Sequence, residues 1–414
     1  HYRARRQRQM CIRDSQIIML NNWGFLMLVK VFLLKQLCSY EYKQRSNFMN
    51  NFKKVGLTAL AGSLVAFSAH SGELTVTGGA NATYKWGKEA TAGHGNTSKG
   101  IGTDKDVAFT GSGELDNGTT FTVGTATLDS QAGLTSGYIT ITTPSFGSFL
   151  MGHSSGGVAG KYDEEVPQVY EQVSDISSMV SANKVGDFMD NNHINYTSPA
   201  LEFAGVGISV DLGYSPQARD SAVGDGGTGG GDGTYGAGKE AGVTLTYEGL
   251  KAGFYGAERE NITPTGTGDK VHDEFNGAWY VKYNFGPVSI GYSESYLDSG
   301  LAATSTTALG TNAAKTLRSG ASDGFFEGEQ IGIAFNVNEN FSVSYSESEE
   351  TYDEQSDLAS GDTADVSMKM DAMQVAYSMG GMSIKAYKMK IENPFFDEDA
   401  EDTNITEIAL GLAF

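Results

Sequence analysis

Residues 74–86, LTVTGGANATYKW, carry the pattern from which we predict the fold of this 414-residue chain. Apolar or small residues occupy every second position from Leu74 to Trp86, and Thr, Asn and Lys fill most positions between them. A period of two is typical of a β-strand with one apolar and one polar face. The stretch therefore predicts a strand, because the apolar positions of a surface helix recur every three or four residues.

The same alternation recurs along the chain as far as Phe414, and we predict sixteen strands from it. Strong copies lie at 107–115, 206–214, 241–247, 275–285 and 408–414. One copy near the C-terminus has the apolar set Met368, Met370, Val375 and Tyr377, which changes phase after Met370.

Short and long spacers alternate between these strands. The short ones carry turn residues, as in Asp116-Asn117-Gly118, a strong signal for a tight hairpin. The long ones are polar and lie near 87–104, 130–135, 154–192, 216–239, 260–273, 298–324, 351–364 and 392–404. We therefore predict an all-β fold, a sixteen-stranded antiparallel transmembrane β-barrel with short periplasmic turns and long external loops.

A soluble sandwich of two sheets would show the same alternation. Two features favour the barrel: the alternation runs to a terminal aromatic residue, Phe414, and aromatic residues cluster near strand ends. Membrane barrels carry aromatic girdles at both interfaces. Because backbone groups in hydrocarbon need internal partners, the first and last strands would pair and close the sheet.

The first 71 residues differ from the rest of the chain. Residues 1–48 hold an Arg-rich head and an apolar run at 17–37, and we interpret them as non-native or upstream translated sequence. A transmembrane helix is the alternative for 17–37. Residues 49–71 are typical of a signal peptide, with a short basic head, an apolar stretch and small residues at its end. Residues 72–414 would then form the barrel domain of an exported protein.

The charge of residues 72–414 is strongly acidic. The first 71 residues hold eleven of the 29 Lys and Arg but two of the 50 Asp and Glu, so the remainder carries a net charge of −30. Such a surface repels nucleic acid and anionic lipid headgroups and attracts cations. Cys11 and Cys38 both precede residue 72, so the remainder has no disulfide and no thiolate for catalysis or zinc binding.

Two local motifs sharpen the prediction. Residues 113–121, GELDNGTTF, place an acidic residue and Leu before an Asn-Gly turn, and residues 146–153, FGSFLMGH, open a strand with Phe-Gly and close it with Gly152. Both motifs resemble those of the general bacterial porin family of Gram-negative outer membranes. In that family an Arg or Lys usually stands where this chain has His153. The terminal Phe414 is similar to the family's outer-membrane assembly signal.

The resemblance implies a homotrimer of barrels, each with an inward-folded third loop that narrows a water-filled lumen. Here that loop would be 154–192, and its acids would form a cation-favouring constriction for passively diffusing hydrophilic solutes and ions. The candidate constriction residues are Asp163, Glu164, Glu165, Glu171, Asp175, Asp187 and Asp190. These acids could instead face bulk water. Alternation assigns Lys85, Lys282, Lys369 and Lys385 to the pore wall, and His153 is a further candidate.

Other functions have weaker support in the sequence. An outer-membrane adhesin or structural barrel with a plugged lumen is the main alternative, and a lipase would rest on His153 beside Ser154 and Ser155. We expect no catalytic residue and no cofactor, although Asp220, Asp225 and Asp232 could hold a structural calcium ion. The expected partners are outer-membrane lipid, lipopolysaccharide and small solutes, with no nucleic acid.

Overall fold

The computed structural model describes residues 72–91, 94–127, 134–153, 157–163, 165–173, 193–218, 235–261, 272–298, 325–353, 366–394 and 400–414. The predicted leader 1–48, the signal peptide 49–71 and the alternative helix at 17–37 lie outside these residues. Within the described ranges, no helix is long and apolar enough to cross a membrane.

Seventeen strands and one short 3-10 turn, Ala159–Lys161, make up the described structure. The strands are β1 (Glu73–Thr91), β2 (His94–Glu114), β3 (Thr120–Thr127), β4 (Leu134–Thr143), β5 (Gly147–His153), β6 (His193–Thr197), β7 (Leu201–Phe203), β8 (Val206–Ser215), β9 (Tyr235–Tyr247), β10 (Leu250–Asn261), β11 (Glu274–Phe285), β12 (Val288–Asp298), β13 (Phe325–Asn336), β14 (Phe341–Asp353), β15 (Val366–Met379), β16 (Met382–Glu392) and β17 (Thr403–Ala413).

The strands form one closed antiparallel sheet with sixteen positions around the barrel. β6 and β7 both pair with β8, because they are two parts of one strand that is interrupted near Pro199, a residue without a backbone N–H. β1 pairs with β17, and two hydrogen bonds join Gly78 to Phe414, at 2.8 Å and 3.0 Å. The predicted sixteen-stranded closed barrel is confirmed.

The short connections lie at the end of the barrel where β1 begins and β17 ends. In the first of them, Asn117 Oδ1 accepts a hydrogen bond from the Thr119 N–H at 3.0 Å, and Gly118 has a φ of 78°, which favours glycine. The predicted long loop at 87–104 is wrong, since β1 and β2 continue through it as paired strands to Thr91 and His94. Residues 87–104 are rich in glycine and polar residues, so the apolar alternation that predicts a strand is weak there.

Side chains alternate between the outside and the lumen, as the period of two requires. The outer rows carry exposed apolar side chains, among them Leu74, Val76, Ile139, Phe254, Ile333 and Leu410. β15 differs from the prediction. Its alternation keeps one phase, so Met368 and Met370 point inward and are buried, whereas Val375 and Tyr377 stay outside.

The two sides of the barrel interior differ in accessibility. On β13–β16, which we call the packed side, the inward rows are almost wholly buried; Phe326, Gln330, Ser346 and Met368 are each at most 5% exposed. On β1 and β2, which we call the open side, most inward residues are half-buried or exposed, including Thr83, Lys85 and Asp104. Material inside the barrel therefore covers the packed side and leaves the open side accessible.

Candidate functional site in the lumen

The material inside the barrel is the chain that follows β5. We call residues 157–163 and 165–173 the inner segment. Its first residues contact β8 and β9, its middle contacts β10–β13, and its last contacts reach β14–β17. The inner segment therefore follows the inner wall across the strands and lies against more than half of them.

Two buried carboxylates bind the first residues of the inner segment. The Val158 N–H donates to Glu240 Oε1 at 2.6 Å, and the Tyr255 hydroxyl donates to Glu240 Oε2 at 3.0 Å. Next to this contact, Lys161 forms an ion pair with Asp211, and the Tyr162 hydroxyl donates to Asp211 Oδ2 at 3.0 Å. Burial, and then the Asp211 charge, raise the pKa of Tyr162, so the phenol stays protonated as a donor.

Glu165 forms the central anchor. Its Oε1 lies 2.8 Å from Lys251 Nζ, and its Oε2 pairs with Lys282. Burial alone would raise the pKa of the Glu165 carboxyl, but the charges of Lys282 and Lys251 outweigh burial and hold that pKa below its usual range. One carboxylate therefore ties the inner segment to two neighbouring strands.

Glycines on the wall make room for the inner segment. A Cβ atom added at Gly242 would collide with the Tyr162 ring, and one added at Gly332 would collide with the Val166 side chain. At Gly291 an added Cβ would lie 2.5 Å from Pro167 Cδ. These glycines are inward positions without side chains, so the segment packs directly on the backbone of the sheet.

The far end of the inner segment is held by hydrogen bonds. Gln374 Oε1 accepts from the Tyr170 N–H at 2.9 Å and from the Glu171 N–H at 3.1 Å. The Tyr170 hydroxyl donates to Glu407 Oε1 at 2.6 Å, and Lys385 Nζ lies 5.1 Å from the Tyr170 ring centroid. Burial, followed by the hydrogen bond to Glu407, raises the pKa of Tyr170 and keeps it a donor.

Toward the loop end of the barrel, an apolar cluster fills the interior beside the inner segment. It consists of Val173, Leu297, Phe326, Met368, Met370, Ala372, Tyr387, Met389, Ile391 and Ile405. The outer rows at the same strand positions are charged, and Lys369 there lies 3.0 Å from Glu349. This part of the wall therefore has an apolar inside and a charged outside, the reverse of the polarity elsewhere.

The predicted constriction acids have different outcomes. Asp163, Glu165 and Glu171 lie in the inner segment, and all three have interaction partners there. Glu164, Asp175, Asp187 and Asp190 lie outside the described residues. Whether these acids select ions stays a prediction.

The predicted basic wall residues also have different outcomes. Lys85, Lys282 and Lys385 occupy inward rows. The prediction for Lys369 is wrong. Its side chain is 54% exposed on the outer face, because Lys369 and the outward-facing Val375 belong to the same alternating row of β15. His153 lies on β5 opposite Gly137, its side chain is outside what the structure describes, and its place on the pore wall stays a prediction.

The remaining predicted sites are the terminal residue and the calcium candidates. Phe414 lies at the seam between β1 and β17. Asp220, Asp225 and Asp232 lie outside the described residues, so calcium binding there stays a prediction. Among the residues that are described, no three His, Cys, Asp or Glu side chains are grouped as metal ligands.

Sequence reasoning missed the residues that hold the inner segment, above all Lys251, Asp211 and Gln374. Alternation assigns each of them to an inward row, and Lys251 also stands two residues after a short turn. Their partners come from a segment that is distant in sequence and has no periodic pattern, so no local signal joins the two.

A family model described as Gram-negative porin matches residues 56–350, more than half of the chain. Solved structures share the fold at low identity. An anion-selective porin from Comamonas acidovorans is 12% identical with a TM-score of 0.57, covering 83% of this chain and 100% of that one. Salmonella typhi OmpF in complex with daunomycin is 11% identical with a TM-score of 0.58, covering 83% and 98%.

A third structure is the trimer form of in-vitro folded OmpT, an outer membrane protein of Vibrio cholerae. It is 12% identical with a TM-score of 0.52, and the alignment covers 83% of this chain and 100% of that chain. No curated protein sequence matches this chain significantly.

Proposed function

Because this chain belongs to the Gram-negative porin family, we propose that it lets small hydrophilic solutes and ions diffuse passively through a water-filled lumen, with a preference for cations. The family and the closed barrel make it an outer-membrane channel protein of a Gram-negative bacterium. The observation that carries the solute pathway is the unequal interior: the inner segment covers the packed side, while polar residues of the open side stay accessible.

The preference for cations follows from charge. Residues 72–414 carry a net charge of −30, and cations accumulate near an acidic channel while anions are depleted. A diffusion channel of this kind needs neither a catalytic residue nor a cofactor, and we propose that this protein has no enzymatic activity.

We also propose that the protein is a homotrimer in contact with outer-membrane lipid and lipopolysaccharide. The OmpT structure that shares the fold is described as a trimer form. On the outer face of β1 and β2, the small residues Ala80 and Ala82 pair with Lys105 and Thr103. Such a face suits another protein surface better than hydrocarbon, since a lysine is costly in lipid.

Planar-bilayer recording of the purified protein tests the proposal. We expect the conductance to rise and fall in steps that come in groups of three. In a salt gradient, the reversal potential should lie closer to the equilibrium potential of the cation than to that of the anion. A protein that inserts into the bilayer but never conducts would contradict the channel and favour an adhesin or structural barrel. An anion-displaced potential would contradict the cation preference alone.

A further inference from the structure

We infer that Asp104 and Asp106 of β2 set the cation preference, and that the carboxylates which anchor the inner segment contribute little to it. The inference rests on the proposed channel function and assigns its selectivity to named side chains. The sequence points to the third loop for this role, and the acids of that loop outside the described residues stay a prediction; the inference adds two carboxylates of the barrel wall.

Asp104 and Asp106 point into the open side of the lumen. Asp104 pairs across the ladder with Asn81, and Asp106 pairs with Gly79, in the inward row that also holds Thr83 and Lys85. Asp104 is exposed and Asp106 is half-buried. Asp104 therefore stands on the part of the wall that the inner segment leaves accessible to solutes, and Asp106 lies beside it in the same row with its Oδ1 atom buried.

The anchoring carboxylates are shielded from such solutes. The Glu165 side chain is 13% exposed and shared between Lys251 and Lys282, and the Asp211 side chain is 2% exposed and paired with Lys161. Three ammonium groups, Lys161, Lys251 and Lys282, compensate these two carboxylates. The other two anchoring carboxylates, Glu240 and Glu407, accept hydrogen bonds from tyrosine hydroxyls. These partners weaken the negative potential that the anchoring carboxylates present to a cation in the lumen.

Electrostatic screening strengthens the distinction. In about 0.1 M salt the potential of an exposed charge decays over roughly 10 Å, so an ion responds mainly to the charges that line its own path. Lys85 also lies on the open side, but it faces Glu407 directly across the seam between β1 and β17. Asp104, an exposed carboxylate of β2, therefore gives the open side a negative charge beside the path of solutes.

Reversal potentials of matched variants test this assignment. We expect Asp104→Asn with Asp106→Asn to lower the cation-to-anion permeability ratio at least about threefold at low salt, and Asp104→Lys to lower it further. Glu165→Gln should change the ratio less than Asp104→Asn. Glu329→Gln, on the exposed outer face of β13, is the control for a charge removed outside the lumen and should leave the ratio unchanged.

A second measurement varies the charge in one folded protein. Cys11 and Cys38 are the two cysteines of the chain, so Asp104→Cys can be modified alone during recording in a background that carries Cys11→Ser and Cys38→Ser. An anionic thiosulfonate reagent should raise the cation-to-anion permeability ratio of this variant again. A cationic thiosulfonate reagent should lower the ratio further. Equal ratios before and after both reagents, with modification verified by mass, would overturn the inference. A silent wild-type protein would instead overturn the proposed function.

Discussion

The packed side and the open side are built from the same alternating strands, yet they treat their inward rows in opposite ways. On β13 the inward row is Phe326, Gly328, Gln330, Gly332 and Ala334, all buried. On β2 the inward residues Gly102, Asp104, Asp106 and Ala108 are half-buried or exposed. The lumen is therefore not lined evenly. One side acts as a support for the inner segment, and the other meets water.

The largest expected effect is a cavity in the packed side. Phe326 is 2% exposed in the apolar cluster, and Phe326→Ala should lower the free energy of unfolding by about 3–5 kcal/mol. Urea unfolding in detergent micelles measures the change. Thr83→Ala, at an inward position of the open side, should cost less than about 0.5 kcal/mol. Similar losses for both variants would mean that the two sides do not differ in packing.

Removal of the central anchor should come next. Glu165→Gln leaves Lys251 and Lys282 without their shared carboxylate and should cost about 1.5–3 kcal/mol at pH 7. Because the folded-state pKa of Glu165 is lowered, its contribution is present above an unfolded pKa of about 4.3 and is lost as pH falls through the lower folded value.

Unfolding measured from pH 7 to pH 3 checks the titration. The wild-type protein should lose part of its stability below about pH 4, and Glu165→Gln should lose less over the same interval. Asp104→Asn, which changes an exposed carboxylate of the open side, is the matched control. An unchanged acid slope in Glu165→Gln would show that the anchor contributes no stability.

A smaller effect is expected where the inner segment rests on glycine. Gly332→Val places side-chain atoms against Val166, so the segment must move, at a cost of about 1–3 kcal/mol. We expect a larger or noisier single-channel conductance. Gly100→Val is the control on β2, because an added Cβ there has no heavy atom within 4 Å. Equal conductance in both variants would contradict the seating of the segment.

The smallest effect concerns the loop end of β12. His272 Nε2 lies 3.3 Å from Asp298 Oδ2, and that hydrogen bond raises the pKa of His272 to about 9. The raised pKa gives stability that is complete below about pH 6.5 and lost as pH rises through 9. Since the histidine is 45% exposed, His272→Gln should cost less than about 1 kcal/mol at pH 7. An NMR titration in which the midpoint of His272 lies near pH 6.5 would contradict an ion pair between His272 and Asp298.

Most of the fold could be predicted from the sequence because alternation and turn residues are local signals. The hairpin at Asn117-Gly118 and the closing strand before Phe414 were both predicted from a few residues. The phase of β15 was not, because Met368 and Met370 suit either lipid or an apolar interior. Only the inner segment and its cluster decide between the two, and their contacts span distant parts of the chain.

The seam between Gly78 and Phe414 has a consequence for assembly. The other neighbouring strands are joined by hairpins or loops, so each of their ladders forms between segments that are near each other in the sequence. The seam joins strands from opposite ends of the barrel domain, and until it forms β1 and β17 present unpaired edges that invite aggregation. A variant that lacks the last few residues up to Phe414 would therefore keep the edges of β1 and β17 unpaired, whereas the intact protein pairs them.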